Sequence, residues 1–238
     1  MSDTNLSADD QKRIAAEAAL AYIKDGMKVG LGTGSTAAHF VTALGRKARD
    51  EGLTLACVPT SEATDKLARE VGLTVTTLDD QPHLDVTVDG ADEIGPRLTL
   101  IKGGGGALLR EKIVAFASSQ MIVIADESKV VPHLGNFPLP IEVVPFGAQA
   151  TGTRILESGK LFGCDGAISL RTDEYGEPFV TDGNNLIYDW TLGEIPDPDG
   201  LGEYLSRLPG VVEHGLFLGI AHAALIGKAD GSVDTLNH

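Results

Sequence analysis

Apolar residues recur along the chain in two rhythms. Between residues 8 and 24, Ile14, Ala18, Ala21 and Tyr22 fall at helical intervals behind Ser7, whose hydroxyl suits an N-cap. Asp25-Gly26 ends this helix, and residues 27–31 form a short apolar strand that runs into glycines. A second helical pattern starts at Ser35 and passes through Ala37, Phe40, Val41 and Leu44. The alternation then repeats, with strand 53–58, helix 61–71, strands 73–77, 84–88 and 98–101, helix 107–118 and strand 121–125. The run Met-Ile-Val-Ile-Ala in the last strand has the unbroken apolar character of a strand covered on both faces. Such alternation predicts an α/β fold, a mainly parallel open sheet with helices on both faces in the Rossmann-like manner.

After residue 132 the rhythm changes. PHLGNFPLP (132–140) reads as a proline-rich connector. Strand 141–144, helix 147–157, strands near 167–171 and 186–188, and helix 200–208 predict a smaller α+β domain closed by Pro209-Gly210. The tail carries strand signals in GVVEHGLF (210–217) and AALIGK (223–228), with Asp230-Gly231 suited to a hairpin turn, and is expected to rejoin the first sheet. The expected division is residues 1–133 with 214–238 for the α/β domain and 134–213 for the small one. No internal repeat or low-complexity tract interrupts either part.

Composition narrows the function. The 238 residues, 42% hydrophobic and 22% charged, suffice for a well-buried core without staples. A formal net charge of -15 repels polyanions and leaves no basic patch for nucleic acid, whereas a small phosphate needs only a few local donors. Cys57 and Cys164 stand far apart with no CxxC pattern, which argues against a disulfide framework or zinc site and suits a reducing cytosol. The polar start MSDTNLSADD lacks the features of a signal peptide, and no apolar run approaches a membrane span, so a cytoplasmic protein without a membrane partner is expected. The six histidines show no metal-binding spacing, and no metal site is expected.

Three segments carry candidate chemistry. In GLGTGST (30–36), glycines permit close backbone approach, the following helix offers free N–H groups, and Thr33, Ser35 and Thr36 add hydroxyls beside Gly34. Ser35 stands where a dinucleotide fingerprint requires glycine, and no P-loop lysine follows. An anion loop and a tight turn with an N-cap fit this pattern equally. The turn DGADE places Asp89, Gly90, Ala91, Asp92 and Glu93 after a strand, where open α/β sheets bind ligands. Three carboxylates in five residues need cations, sugar hydroxyls or water, and a solvated acidic turn explains them as well. In KGGGGALLREK (102–112), four consecutive glycines are entropically costly unless the backbone must be bare there. Glu111 shares a helix face with Ala107, Val114 and Ala115, where desolvation would raise its pKa towards that of a general base. An exposed glutamate in the charged stripe 110–112 is the commoner fate of such a residue.

Together with VPTSEAT (58–64), IADESK (124–129), FPLPIEVVPFG (137–147) and PGVVEHGLF (209–217), these motifs closely resemble ribose-5-phosphate isomerase of type A, in the same order and over nearly the whole chain. The resemblance implies interconversion of D-ribose 5-phosphate and D-ribulose 5-phosphate through a cis-enediol in the non-oxidative pentose phosphate pathway, with neither metal nor organic cofactor. It implies Glu111 as the proton-transfer base, with Asp89 and Lys102 beside it. The implied substrate-binding residues are Thr33, Gly34, Ser35, Thr36, Asp89, Gly90, Ala91, Asp92, Lys102, Gly103, Gly104, Gly105 and Lys129, with Lys12 assisting the phosphate. A homodimer or dimer of dimers is implied as well. One departure is TDGNN (181–185), where the family commonly has TDNGN; Gly and Asn both tolerate positive φ, so the turn is expected to survive with altered geometry. A noncatalytic sugar-phosphate sensor on a related fold is the main alternative, and a dinucleotide-dependent oxidoreductase ranks below it.

Overall fold

Residues 5–237 are described by the structure, a computed structural model. The first four residues of the polar N-terminal segment and His238 lie outside them. The chain divides into two units, Met1–Ala91 with Arg110–Val130 and Gly219–His238, and Asp92–Leu109 with Val131–Leu218.

The first unit is built on a six-stranded sheet. Its order from edge to edge is Val233–Asn237, Ala223–Gly227, Met121–Asp126, Val86–Asp89, Lys28–Leu31 and Ala56–Pro59. Every neighbouring pair is parallel except the terminal hairpin Ala223–Gly227 with Val233–Asn237. Side chains alternate between faces along each strand. Val29, Leu31, Val86, Val88, Ile122 and Ile124 therefore meet Ala15, Ala19, Phe40, Leu44 and Ala68 from helices Ala8–Ala19, Ser35–Glu51 and Glu62–Glu70. Gly30 and Thr87 point to the other face, which helix Leu108–Phe116 covers through Val114. Ser7 and Ser61 cap their helices by accepting from Asp10 N and Thr64 N, both at 3.1 Å.

One expected strand is missing. Residues 73–77 touch the sheet through a single parallel bridge, Val75 to Cys57. The chain turns away at Thr77, whose hydroxyl donates to Asp80 and whose carbonyl accepts from Gln81 N, so the ladder cannot extend.

The second unit is antiparallel. A four-stranded sheet runs Val211–His214, Leu139–Val143, Leu186–Thr191, Ala167–Leu170, and a three-stranded one runs Leu216–Phe217, Leu100–Ile101, Glu93–Ile94. Helices Ala148–Gly159 and Pro198–Leu205 supply Ile155, Leu201 and Leu205 to a core centred on the fully buried Trp190. Of the tail, only the hairpin 223–237 joins the parallel sheet; Val211–His214 and Leu216–Phe217 pair within this second unit. The TDGNN turn closes with Asn184 at φ 60°, and the buried Glu142 Oε1 accepts from Thr181 Oγ1 and Asn185 Nδ2, both at 2.9 Å. Asparagine thus occupies the left-handed position that glycine fills in the TDNGN pattern. Among the described residues no helix is long and apolar enough to cross a membrane.

Candidate active site

In the first unit, two strands end side by side at residues chosen for close approach. Gly32 N donates to Val88 O at 3.0 Å, and a Cβ on Gly32 would lie 2.1 Å from Asp89 Oδ1 and 2.6 Å from Asp89 Cα. Only glycine fits there. The space it leaves lets Asp89, fully buried, accept at Oδ1 from Thr33 N at 3.1 Å and from Gly90 N at 2.7 Å. These N–H groups give Oδ1 hydrogen-bond partners in a place where burial removes it from water.

Thr33 is fixed in turn by hydroxyls that sequence reasoning did not single out. Its Oγ1 lies 2.7, 2.8 and 3.2 Å from the side-chain oxygens of Thr60, Ser61 and Thr64, and Thr64 Oγ1 donates to Gly32 O at 2.9 Å. Gly34, at φ 101°, then opens helix Ser35–Glu51 with no side-chain cap. The first N–H groups of that helix are left to a ligand or solvent, as a phosphate loop requires. Lys12 Nζ donates to Ser35 Oγ at 3.3 Å, which brings an ammonium from the first helix to this loop. Gly90 lies against Thr36, and Lys129 ends a short turn, Glu127–Lys129, after the neighbouring strand Met121–Asp126.

Glu111 is not part of an exposed stripe. It is 4% exposed, and its neighbour Lys112 is also buried, while Ile113 and Phe116 face out. The packing explains its position along the sheet. Ser118 bridges to Leu84, Val114 sits over Gly30 and Thr87, and the helix therefore runs antiparallel to the strands. Three residues before Val114, about 4.5 Å of helix rise or one to two strand residues, bring Glu111 level with the end of Val86–Asp89.

In the second unit, the carboxylates of the acidic turn have separate partners. Asp92 Oδ2 accepts from Gly104 N at 2.8 Å, and the buried Glu93 accepts from Gly135 N and Phe137 N, both at 2.7 Å. Backbone N–H groups answer these acids without requiring a cation. Lys102 is 2% exposed, its N donates to Gly215 O at 2.9 Å, and its Nζ lies 5.5 Å from the centroid of the Phe217 ring. The glycine loop turns with Gly103 at φ 104° and Gly106 at φ 79°, closed by Gly106 N donating to Gly103 O at 3.0 Å. Arg171 reaches it from residue 171 and donates to both Gly103 O and Gly104 O. Nothing in the local pattern RTDEYGEP marks this arginine as different from a surface charge.

Lys12, Thr33, Gly34, Ser35, Thr36, Asp89, Gly90, Ala91, Glu111 and Lys129 thus belong to the first unit, and Asp92, Lys102, Gly103, Gly104 and Gly105 to the second. A cavity of about 410 Å³ in the first unit, walled by Val58, Pro59, Leu78, Arg110 and Ile113, includes none of them. Among the described residues no group of three His, Cys, Asp or Glu is arranged to hold a metal ion.

The profile of ribose 5-phosphate isomerase A (phosphoriboisomerase A) matches residues 56–231. The chain belongs to the ribose 5-phosphate isomerase A family. It is 60% identical over 227 residues to the ribose-5-phosphate isomerase A of Parvibaculum lavamentivorans, covering 95% of this chain and 98% of that protein. Among solved structures, ribose 5-phosphate isomerase from Plasmodium falciparum superposes with a TM-score of 0.92 at 40% identity, covering 97% of this chain and 99% of that one. A D-ribose-5-phosphate isomerase in complex with phospho-erythronic acid gives 0.91 at 38% identity over 98% of this chain and 100% of that one. Membership makes the chain an isomerase on a Rossmann-like α/β scaffold carrying an added antiparallel unit.

Proposed function

We propose that the chain interconverts D-ribose 5-phosphate and D-ribulose 5-phosphate by proton transfer through a cis-enediol, with Glu111 as the base. In the open-chain aldose the C2 proton lies beside the C1 aldehyde and is only weakly acidic. A carboxylate removes it as negative charge develops on O1, and the proton is returned to C1 to leave the ketose carbonyl at C2. Lys102 stabilises the developing charge, Asp89 moves a hydroxyl proton or assists ring opening, and the loop of Thr33, Gly34, Ser35 and Thr36 with Lys12 takes the phosphate end. Gly90, Ala91, Asp92, Gly103, Gly104, Gly105 and Lys129 bind the remaining sugar oxygens.

The observation that carries this reading is the burial of Glu111 level with Asp89, a placement that an ordinary surface helix glutamate does not have. Further support comes from the relative that holds phospho-erythronic acid, a phosphorylated sugar acid whose planar carboxylate has the shape of an enediolate. The reaction is a proton transfer and calls for no redox cofactor.

The test is ketose formation from ribose 5-phosphate in the presence of a chelator, for wild type and Glu111→Gln. Wild-type turnover and a loss of about 10²–10⁴-fold in the variant are expected. No turnover by wild type, with binding retained, is the behaviour of a sensor and defeats the proposal. Undiminished turnover by Glu111→Gln removes its base. The enzyme is further proposed to work in the cytoplasm as a homodimer or a dimer of dimers, and a monomer in sedimentation velocity at micromolar concentration would contradict the assembly.

A further inference from the structure

The guanidinium of Arg171 joins four oxygens. Nε and Nη2 donate to Asp189 Oδ2 and Oδ1 at 2.8 and 2.5 Å, while Nη1 donates to Gly103 O at 2.9 Å and Gly104 O at 3.2 Å. The side chain is 13% exposed, and the Phe179 ring lies 5.8 Å from its central carbon. The same ring packs on the loop itself, since a Cβ on Gly106 would come within 2.5 Å of it. Asp92 holds the loop by accepting from Gly104 N at 2.8 Å.

Peptide planarity turns these contacts into an orientation. No peptide in the described chain is cis, so the C=O of one residue and the N–H of the next point in opposite directions. Binding Gly103 O to Arg171 sends Gly104 N–H to the far side, where Asp92 receives it. Binding Gly104 O to Arg171 likewise sends Gly105 N–H away from the guanidinium. Glycine loops have many accessible backbone states, and a loop of four is the least able to hold one unaided.

We propose that Arg171, clamped by Asp189, is a positioning residue that fixes the 103–106 loop so that Gly105 N–H is presented to the substrate oxygen on which charge develops. The inference rests on the isomerase reading above and adds a residue to it. Lysine cannot substitute, because one ammonium does not offer the planar fork that meets a carboxylate and two carbonyls together.

The experiment measures kcat and KM for ribose 5-phosphate with wild type, Arg171→Met, Arg171→Lys and Asp189→Asn, alongside thermal unfolding of each. A donor aimed at developing charge acts in the transition state. Arg171→Met should therefore lose about 10²-fold in kcat with KM changed by less than about threefold. Arg171→Lys should lose about tenfold and Asp189→Asn less, in the same direction. If Arg171→Met does not fold, the lysine variant decides. A folded Arg171→Met or Arg171→Lys with kcat within about twofold of wild type overturns the proposal, as does a loss confined to KM. Absence of turnover by wild type defeats the isomerase reading and takes this inference with it, whereas active wild type with unimpaired variants defeats this inference alone.

Discussion

Replacing Gly32 by alanine places one methyl group where two strand ends meet. The new Cβ would stand 2.1 Å from Asp89 Oδ1, 2.3 Å from Asp89 Cγ and 2.6 Å from Asp89 Cα. Rotating the aspartate side chain relieves the first two contacts and not the third, which is to backbone. The end of strand Val86–Asp89 must retreat by at least about 0.4 Å merely to reach 3.0 Å, below which real Cβ contacts essentially do not occur. Overpacking of this kind costs about 1–3 kcal/mol, which for a chain of this size lowers Tm by roughly 2–12 °C. The retreat also strains the contact from Thr33 N to Asp89 Oδ1. If Asp89 acts in the reaction as proposed above, a shift of a few tenths of an ångström to one ångström at its carboxylate lowers kcat by roughly 10–10²-fold. Gly90→Ala is the internal control for stability. Its Cβ would meet nothing closer than Thr36 at 3.7 Å, so its Tm should stay within about 2 °C of wild type. The assay is calorimetric Tm for both variants and isomerase kcat for Gly32→Ala. If Gly32→Ala unfolds at the wild-type temperature and turns over at the wild-type rate, the close approach of these two strand ends does not govern Asp89.

Two further outcomes follow from single positions. Asn184 sits at φ 60°, a conformation glycine adopts without cost, so Asn184→Gly should gain about 0.5–1 kcal/mol and raise Tm by roughly 1–4 °C; a fall in Tm would contradict the turn geometry. Burial pushes the Cys57 thiol from 9.0 up to about 12. A group whose pKa is raised on folding contributes stability that is fully present below about pH 9 and is lost as the pH rises towards 12, because the unfolded chain releases the proton first. By pH 10.5 the loss attributable to Cys57 amounts to about 2 kcal/mol. Urea midpoints at pH 8 and pH 10.5 should therefore fall further for wild type than for Cys57→Ala, and an equal fall would remove the thiol as the cause.

Chain order and local pattern determined much of this protein. The apolar run 121–125 is a central parallel strand, Ser7 caps the first helix as its position foretold, and the motifs around Thr33, Asp89, Lys102 and Glu111 suffice to identify the family. These features are legible because they depend on residues a few positions apart, where periodicity, caps and glycine conformations operate. At residues 73–77 the pattern promised a strand, and the turn at Thr77 limits it to a single bridge.

What only the tertiary structure decided depends on partners far away in sequence. Thr33 N meets Asp89 across 56 residues, and Arg171 meets Gly103 across 68. No window of local sequence contains both ends of either contact. The acidic turn illustrates the same point. Its adjacent carboxylates looked mutually repulsive, yet Asp89, Asp92 and Glu93 each bind different backbone N–H groups that other segments supply. Glu111 is the sharpest case. As a helix residue in a charged stretch it was indistinguishable from a solvated glutamate, and only the packing of Val114 over Gly30 and Thr87 buries it level with Asp89. Sequence specifies which residue types are present and how each segment is shaped; burial and the pairing of distant groups arise only when the sheet closes and brings those segments into contact.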